Sequence, residues 1–280
     1  MSDQLFMFFQ KVMPKRLLTE LLGKLARTKG GSLTTSFIEY FIKRYGVNMA
    51  EAIEKDPAFY DTFNAFFTRE IRPELRPIAD FDLVSPVDGA VSQLGKINID
   101  QIFQAKGKSF TTNALIGGDS VLAEQFADGL FATLYLSPKD YHRIHMPCDG
   151  YLRKMVYVPG DLYSVNPLTA RSIDRLFARN ERVVCVFDGE HGPFVMVLVG
   201  ATVVGSIKTQ WHGAVNSPRP TGLQTWQYNG DLLLKKGEEM GQFLLGSTVV
   251  MLFPDVGYQF LDDWKPEASI RMGQAMGKKV

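Results

Sequence analysis

The chain is 280 residues long, 45% of them hydrophobic and 22% charged, and its formal net charge at pH 7 is +1. This composition is typical of a globular protein with a sizeable core, and it excludes intrinsic disorder, collagen-like repeats and coiled-coil arrays. The near-neutral charge also excludes a nucleic-acid-binding polyelectrolyte. The two cysteines, Cys148 and Cys185, are too few for a disulfide scaffold and fit a reducing compartment.

The N-terminal segment is both apolar and basic. Up to Tyr45, eight basic residues stand against three acidic ones, a local charge of +5. Apolar residues recur at helical spacing, namely Leu5, Phe6, Phe8, Phe9, Val12 and Met13 before Pro14, then Leu17, Leu18, Leu21, Leu22 and Leu25. Such helices either lie in the interface of an anionic bilayer or pack on the core of their own protein, and this segment alone favours core packing.

Neither secretion nor a membrane span is expected. Asp3 stands where a signal peptide carries positive charge, and the first apolar stretch covers only Leu5 to Phe9. The longest apolar run, Phe194 to Gly205, is too short to cross a bilayer and is rich in β-branched residues. It predicts a buried strand.

The remaining pattern predicts an α+β fold, a mostly antiparallel β core preceded by N-terminal amphipathic helices. Helices are predicted over Ser36–Tyr45, Asn48–Lys55 and Phe59–Phe67, and the two prolines of Arg72–Pro77 predict a linker. Short β-branched runs separated by Gly, Pro, Asp and Asn then continue to the C-terminus, and this density of turn residues favours antiparallel strands over βαβ units.

Two of the four histidines fall in the segment YHRIHMPCDG, residues 141–150. His142, His145 and Cys148 are spaced by three, which allows a metal-site interpretation. Pro147 argues against a helix through Cys148, however, and in an extended segment residues i and i+3 point to opposite faces. A metal site is therefore a weak hypothesis, and two histidines satisfied in a turn remain the simpler one.

The segment Leu245-Gly246-Ser247-Thr248 resembles the L-G-S-T signature of phosphatidylserine decarboxylases, and the resemblance extends along nearly the whole chain. The other matching segments are FFTREIRPELRPI (66–78), SPVDGAVSQLG (85–95), KGKSF (106–110), YLSPKDYHRIHMPCDG (135–150), YSVNP (163–167), NERVV (180–184), VGATVVGSI (199–207) and KGEEMGQFLLGST (236–248). Their order and spacing are far more specific than any single segment.

The resemblance implies a proenzyme that cuts itself between Gly246 and Ser247, giving a β chain (1–246) and an α chain (247–280) that remain associated. Ser247 becomes a pyruvoyl group, which forms a Schiff base with phosphatidylserine and releases CO2 to leave phosphatidylethanolamine. It also implies that His145 is the base for cleavage, that Asp88 orients it, and that His142 positions the substrate and donates a proton. Neither a metal nor pyridoxal phosphate is expected.

The same resemblance implies a peripheral protein on the cytoplasmic side of the cell membrane. Residues 1–70 are then a helical membrane-docking region and residues 71–280 a β-rich catalytic core. Under this hypothesis the N-terminal helices are expected to bind an anionic membrane surface, because the substrate is an anionic diacyl lipid. The resemblance is compatible with a homodimer and gives no role to nucleic acid.

Three alternatives stay open. A pyruvoyl enzyme acting on a soluble amino acid would share the chemistry without needing amphipathic helices. A metal-dependent lipid hydrolase would use His142, His145 and Cys148. A non-catalytic membrane-binding module would need neither a cut chain nor a ketone.

Overall fold

The computed structural model describes residues 3–202, 206–244 and 247–280, without the side chains of residues 3–5, 9, 11 and 247. Its α-helices are α1 (Asp3–Val12), α2 (Lys15–Ala26), α3 (Ser32–Tyr45), α4 (Phe63–Phe67), α5 (Thr112–Leu115), α6 (Ser120–Glu124), α7 (Pro167–Ser172) and α8 (Leu176–Arg179). Its strands are β1 (Leu83–Val84), β2 (Gly89–Lys96), β3 (Gln101–Ala105), β4 (Lys108–Thr111), β5 (Leu130–Leu136), β6 (Arg143–His145), β7 (Gly150–Val158), β8 (Arg182–Gly189), β9 (Gly192–Val199), β10 (Ile207–Thr209), β11 (Gly213–Ala214), β12 (Gln224–Gln227), β13 (Leu233–Leu234), β14 (Glu239–Phe243), β15 (Ser247–Phe253), β16 (Tyr258–Phe260), β17 (Ser269–Ile270) and β18 (Ala275–Lys279).

A large antiparallel sheet forms the centre of the molecule. Its strand order is β12-β7-β8-β9-β15-β5-β2-β17, and β13 also pairs with β7. Successive side chains of the central strands point to opposite faces of the sheet and belong to two separate hydrophobic cores. One core contains Leu134, Val249 and Leu198, and the other contains Val250, Val197 and Phe131. The predicted α+β class with a mostly antiparallel core is confirmed, and the buried-strand interpretation of 194–205 holds for β9.

A smaller sheet, of order β11-β10-β14-β6, lies beside the large one and carries the YHRIHMPCDG segment. Strand β14 leads after three residues into β15. Two consecutive strands, one in each sheet, therefore meet at the segment that contains the predicted cut.

The helical region differs from prediction in two places. The helix over Asn48–Lys55 was wrong, because Asn48 caps only a single 3₁₀ turn, Met49–Glu51. The helix over Phe59–Phe67 is shorter than predicted: it begins at Phe63, where the Thr62 hydroxyl accepts from the Ala65 N–H and so fixes the N-terminus. By contrast, α3 ends as predicted at Gly46, which adopts the left-handed conformation.

The predicted linker is also tied to the core. Its prolines do produce a short 3₁₀ turn, Pro73–Leu75, but Arg76 directly after it is buried in ion pairs. The division of the chain at residue 70 stays a prediction.

Amphipathic helices of globular proteins usually bury their apolar face, but helix α2 exposes several of its leucines. Its buried residues are Thr19, Gly23 and Ala26, whereas Leu17, Leu21 and Leu25 are 57%, 56% and 68% exposed. Residues two positions apart on a helix lie about 200° apart, so the leucine ridge faces away from the protein. None of the described helices has both the length and the apolar character needed to cross a bilayer.

Candidate active site

Both predicted histidines lie beside the strand that leads to Ser247. Strand β6, which contains His145, pairs with β14, and the N–H of Phe243 donates to the carbonyl oxygen of His142 at 3.0 Å. Ser247 opens β15, where its backbone is in register with Leu136 at the end of β5. The fold thus brings the histidine segment and the predicted cut site to the same end of the sheets.

The imidazole of His145 is fixed in one tautomer. Its Nδ1 lies 2.8 Å from the carbonyl oxygen of Gly237, which can only accept, so Nδ1 carries the proton. The lone pair is then on Nε2, which receives the Tyr141 hydroxyl at 3.1 Å. Burial lowers the pKa of His145, which keeps the ring neutral and basic near pH 7.

His142 is also fixed, and its second nitrogen is unpaired. Its Nδ1–H donates to the carbonyl oxygen of Asp140 at 2.8 Å, and its ring packs on Phe67 with centroids 4.0 Å apart. Complete burial lowers its pKa to about 3. Its Nε2 is buried with no hydrogen-bond partner, which leaves an acceptor available to a bound molecule.

Asp88 is held by an arginine that the sequence analysis did not single out. Nε and Nη2 of Arg76 donate to its two carboxylate oxygens at 2.9 and 2.6 Å, and the Met272 N–H donates at 2.8 Å. The same Nη2 donates to Glu51 at 2.6 Å. This buried fork-shaped contact fixes the carboxylate in one orientation.

The predicted contact between Asp88 and His145 is not present among the described residues. A bidentate charged contact with Arg76 is stronger than a hydrogen bond to a neutral imidazole, and the Nδ1–H of His145 is already used by Gly237. Burial lowers the pKa of His145 most, and the hydrogen bond to Gly237 and the charge of Glu239 raise it; the Asp88 charge also raises it, by less than either. The role of Asp88 stays a prediction.

The predicted cut itself falls at the boundary of what is described. Leu245, Gly246 and the side chain of Ser247 lie outside the described residues. The backbone of β15 is described, and it pairs with β5 on one side and β9 on the other.

Two clefts adjoin this site and share Gly89, Lys139, Asp140 and Ser269. The smaller, of about 240 Å³, contains Asp88, Arg76 and Arg69. The larger, of about 540 Å³, is lined partly by apolar groups, among them Phe103, Tyr135 and Pro167. Helix α7, which lines the larger cleft, packs beside α1. One wall of the larger cleft is therefore in contact with the N-terminal helix α1.

Cys148 does not join the histidines. Its thiol, whose pKa is raised to about 12 by burial, lines a different cleft together with Phe253, the last residue of β15. Within 3–202, 206–244 and 247–280, no group of three or more His, Cys, Asp or Glu side chains is placed to hold a metal ion. The geometry thus gives no support to Cys148 as a partner of His142 and His145.

Sequence reasoning overlooked four groups at this site. Arg69, Arg76 and Tyr141 all lie in segments that carried the resemblance, so their positions offered a signal although their roles did not. Gly237 lies in such a segment as well (236–248), but the role of its carbonyl could not be read there, because a backbone acceptor is specified by the fold.

Comparison with known proteins agrees with the resemblance. The family model described as phosphatidylserine decarboxylase matches residues 63–278, and a second model, described as PSD, matches residues 5–46. The phosphatidylserine decarboxylase proenzyme of Azoarcus sp. (strain BH72) is 62% identical over 278 residues, covering 99% of this chain and 96% of the relative. That of Dechloromonas aromatica (strain RCB) is 60% identical over 281 residues, covering 100% of both chains.

With a family model over most of its length and full-length relatives at this identity, the chain belongs to the phosphatidylserine decarboxylase family.

Proposed function

We propose that this chain is a self-cleaving decarboxylase of phosphatidylserine, cut between Gly246 and Ser247, with Ser247 as the source of its pyruvoyl group. The observation that carries the proposal is the buried, neutral His145, whose tautomer is fixed by Gly237 at the end of the sheets where β15 begins. A serine hydroxyl is a weak nucleophile and needs such a base.

In the cleavage step, Nε2 of His145 takes the hydroxyl proton of Ser247 as the oxygen attacks the carbonyl carbon of Gly246. The peptide bond is exchanged for an ester, and loss of the Ser247 α-proton then expels the carboxylate of Gly246. Addition of one water and release of one ammonia leave the ketone. Tyr141 gives up its hydrogen bond to Nε2 when the serine proton arrives.

Asp88 stabilises the imidazolium of His145 through space. Its carboxylate is fixed by Arg76, and its charge raises the pKa of His145. A fixed charge that favours the protonated base lowers the barrier to proton transfer without reorganising during the step. Arg76 is thus a positioning residue for Asp88.

The residues near the start of β15 fit a pyruvoyl group. Pairing with β5 holds the first residue of β15 in place, and pairing with β9 begins at the next residue, Thr248. The unpartnered Nε2 of His142 is an acceptor that matches the N–H of a substrate amine. A pyruvoyl carbonyl supplies the electrophile that takes the substrate amine and the electron pair left by CO2.

In this state His142 positions the substrate as an acceptor, because its proton is on Nδ1. To donate from Nε2 it must first gain a proton, which its burial opposes. His142 therefore first accepts a hydrogen bond from the substrate at Nε2, and it donates a proton only after it has gained one.

The N-terminal helices deliver the site to the membrane. Helices α1 and α3 also expose apolar residues, which are Phe8, Val12, Leu33, Phe37 and Tyr40. Exposed apolar surface of this extent is typical of an interaction site, and the positive charge of the segment matches an anionic lipid surface. Core packing, which the sequence alone favoured, does not occur for the leucine ridge of α2.

The deciding experiment is the intact mass of the purified protein under denaturing conditions. The proposal requires two chains split after Gly246, with the shorter one lighter by one ammonia than the encoded peptide 247–280. A single chain with full decarboxylase activity would contradict it. A cut chain that retains its N-terminal serine would contradict the pyruvoyl group alone.

A further inference from the structure

The smaller cleft is lined by a buried cation, Arg69, that forms no ion pair within the described chain. Its guanidinium lies over the ring of Phe66, 5.4 Å from the centroid. Arg76 is neutralised there by Asp88 and Glu51, and the Asp140 carboxylate accepts from the N–H and hydroxyl of Ser137. Arg69 is buried and has a single hydrogen bond, from Nη2 to the carbonyl oxygen of Lys139 at 3.0 Å.

The other two nitrogens of this guanidinium have no partner. Nε and Nη1 of Arg69 are both buried without an acceptor, and burial is the main cause that lowers the pKa of the group. Buried charged donors are costly when unpaired, and a guanidinium N–H donates strongly to an oxygen of a phosphate or carboxylate. The geometry of Arg69 is that of an anion site without its anion.

Arg69 lies close to His142. The Arg69 side chain donates to the carbonyl of Lys139, and the His142 side chain donates to the carbonyl of Asp140, the next residue. Both side chains are thus anchored on consecutive residues of the same segment. The positive charge of Arg69 also contributes to the lowered pKa of His142.

Phosphatidylserine offers two anions, and only one remains unchanged by the reaction. A guanidinium bound to the departing carboxylate would stabilise the ground state and raise the barrier to loss of CO2, whereas a phosphate keeps its charge throughout. We infer that Arg69 binds the phosphodiester of the lipid headgroup and leaves the carboxylate without a guanidinium partner. This inference rests on the proposed function for its substrate.

Binding to the uncut Ser247→Ala protein tests the inference without any turnover. The probes are dihexanoyl phosphatidylethanolamine, which has the phosphate but no carboxylate, and inorganic phosphate, both followed by ³¹P NMR titration. Arg69→Gln should weaken binding of the lipid at least tenfold, and Arg69→Lys should weaken it less because the charge remains. Arg153→Gln, which removes an exposed arginine paired with Asp188, is the matched control and should have no effect.

Each other outcome overturns the inference. Unchanged lipid binding in Arg69→Gln would exclude a phosphate contact, and Arg69-dependent binding of inorganic phosphate alone would indicate a free-anion site. If the mature variant has a raised KM for dihexanoyl phosphatidylserine but unchanged product binding, Arg69 holds the carboxylate. If neither variant folds, as judged by circular dichroism, Arg69 is structural. Because the binding titrations use uncut protein, failure of the pyruvoyl proposal would not alter their results.

Discussion

His142 and His145 are three residues apart, and a single nitrogen distinguishes their environments. Both donate from Nδ1 to a backbone carbonyl, but Nε2 of His145 accepts from Tyr141 while Nε2 of His142 has no partner. The hydrogen bonds from Nδ1 to backbone carbonyls therefore leave Nε2 of each neutral ring as an acceptor. The two histidines then differ in the group that contacts Nε2, and we expect this difference to set their roles.

Ser247→Ala should give a single uncut chain without activity, because the hydroxyl oxygen is the proposed nucleophile of the cleavage step. His145→Ala should cut far more slowly, since general-base catalysis typically contributes 10²–10⁴-fold, about 3–5 kcal/mol of barrier. Denaturing gels over a time course measure both. Normal two-chain maturation of Ser247→Ala would contradict the scheme.

His142→Ala should still cut itself, at least in part, and yet decarboxylate poorly, because its free Nε2 is proposed to act on the substrate. The fraction cut comes from intact mass, and turnover per cut molecule comes from CO2 release. Tyr60→Phe, which removes a hydroxyl bonded to the Glu54 carbonyl in the helical region, is a suitable control. Near-full turnover of cut His142→Ala would remove His142 from the reaction.

The pH dependence of self-cleavage should report on His145. Burial lowers its pKa below the ordinary 6.5, so the neutral base persists at mildly acidic pH and the rate should fall only below pH 6.5. Arg76→Gln leaves the Asp88 charge uncompensated, which favours the imidazolium and should move this acid limb to higher pH. Cleavage rates from pH 4 to 8 test both statements, and an unmoved limb in Arg76→Gln would show that Asp88 does not act on His145.

At the scale of elements, the sequence predicted periodicity better than orientation. The spacing of Leu17, Leu21 and Leu25 correctly predicted a helix, but spacing is the same whether an apolar ridge faces the core or a bilayer. The small residues Thr19, Gly23 and Ala26 carried the missing information, because a helix that packs closely on a protein needs small side chains at the contact.

Leu17→Ser, Leu21→Ser and Leu25→Ser combined should weaken binding to anionic liposomes about a hundredfold. Each leucine loses on the order of 1 kcal/mol at partial depth in the interface. Self-cleavage should be unaffected because none of the three is buried. The matched control changes three exposed apolar residues outside the N-terminal helices to Ser: Ile99, Val121 and Leu223. Equal co-sedimentation of the two triple variants would place the membrane contact elsewhere.

For the molecule as a whole, local patterns predicted the strands, while long-range pairings decided the site. The β-branched runs correctly located β5, β7, β8, β9 and β15. The partners of Asp88 and His145 are Arg76 and Gly237, and Gly237 is 92 residues away from His145 in sequence. Which carboxylate meets which base depends on how the two sheets are placed, and that is not encoded in the spacing of either motif.

The two chains should remain together after the cut. The C-terminal chain contributes β15 between β5 and β9, as well as β17 against β2 and β18 against β1. Its apolar residues Val249 and Met251 are fully buried in the core. Size-exclusion chromatography of cut protein should give one peak that contains both chains, and their separation without denaturant would contradict this expectation.

The position of β15 between two strands of the other chain has a consequence for refolding. In the precursor, β15 finds its place by an intramolecular search whose entropic cost is limited by the connecting segment. Once the peptide bond is lost, the same insertion becomes an encounter between two molecules and loses the high effective concentration of a tethered strand. Denatured precursor should therefore refold at a rate independent of dilution, whereas the mature pair should reassemble more slowly at each dilution. Efficient assembly therefore requires that the chain fold before it cuts itself.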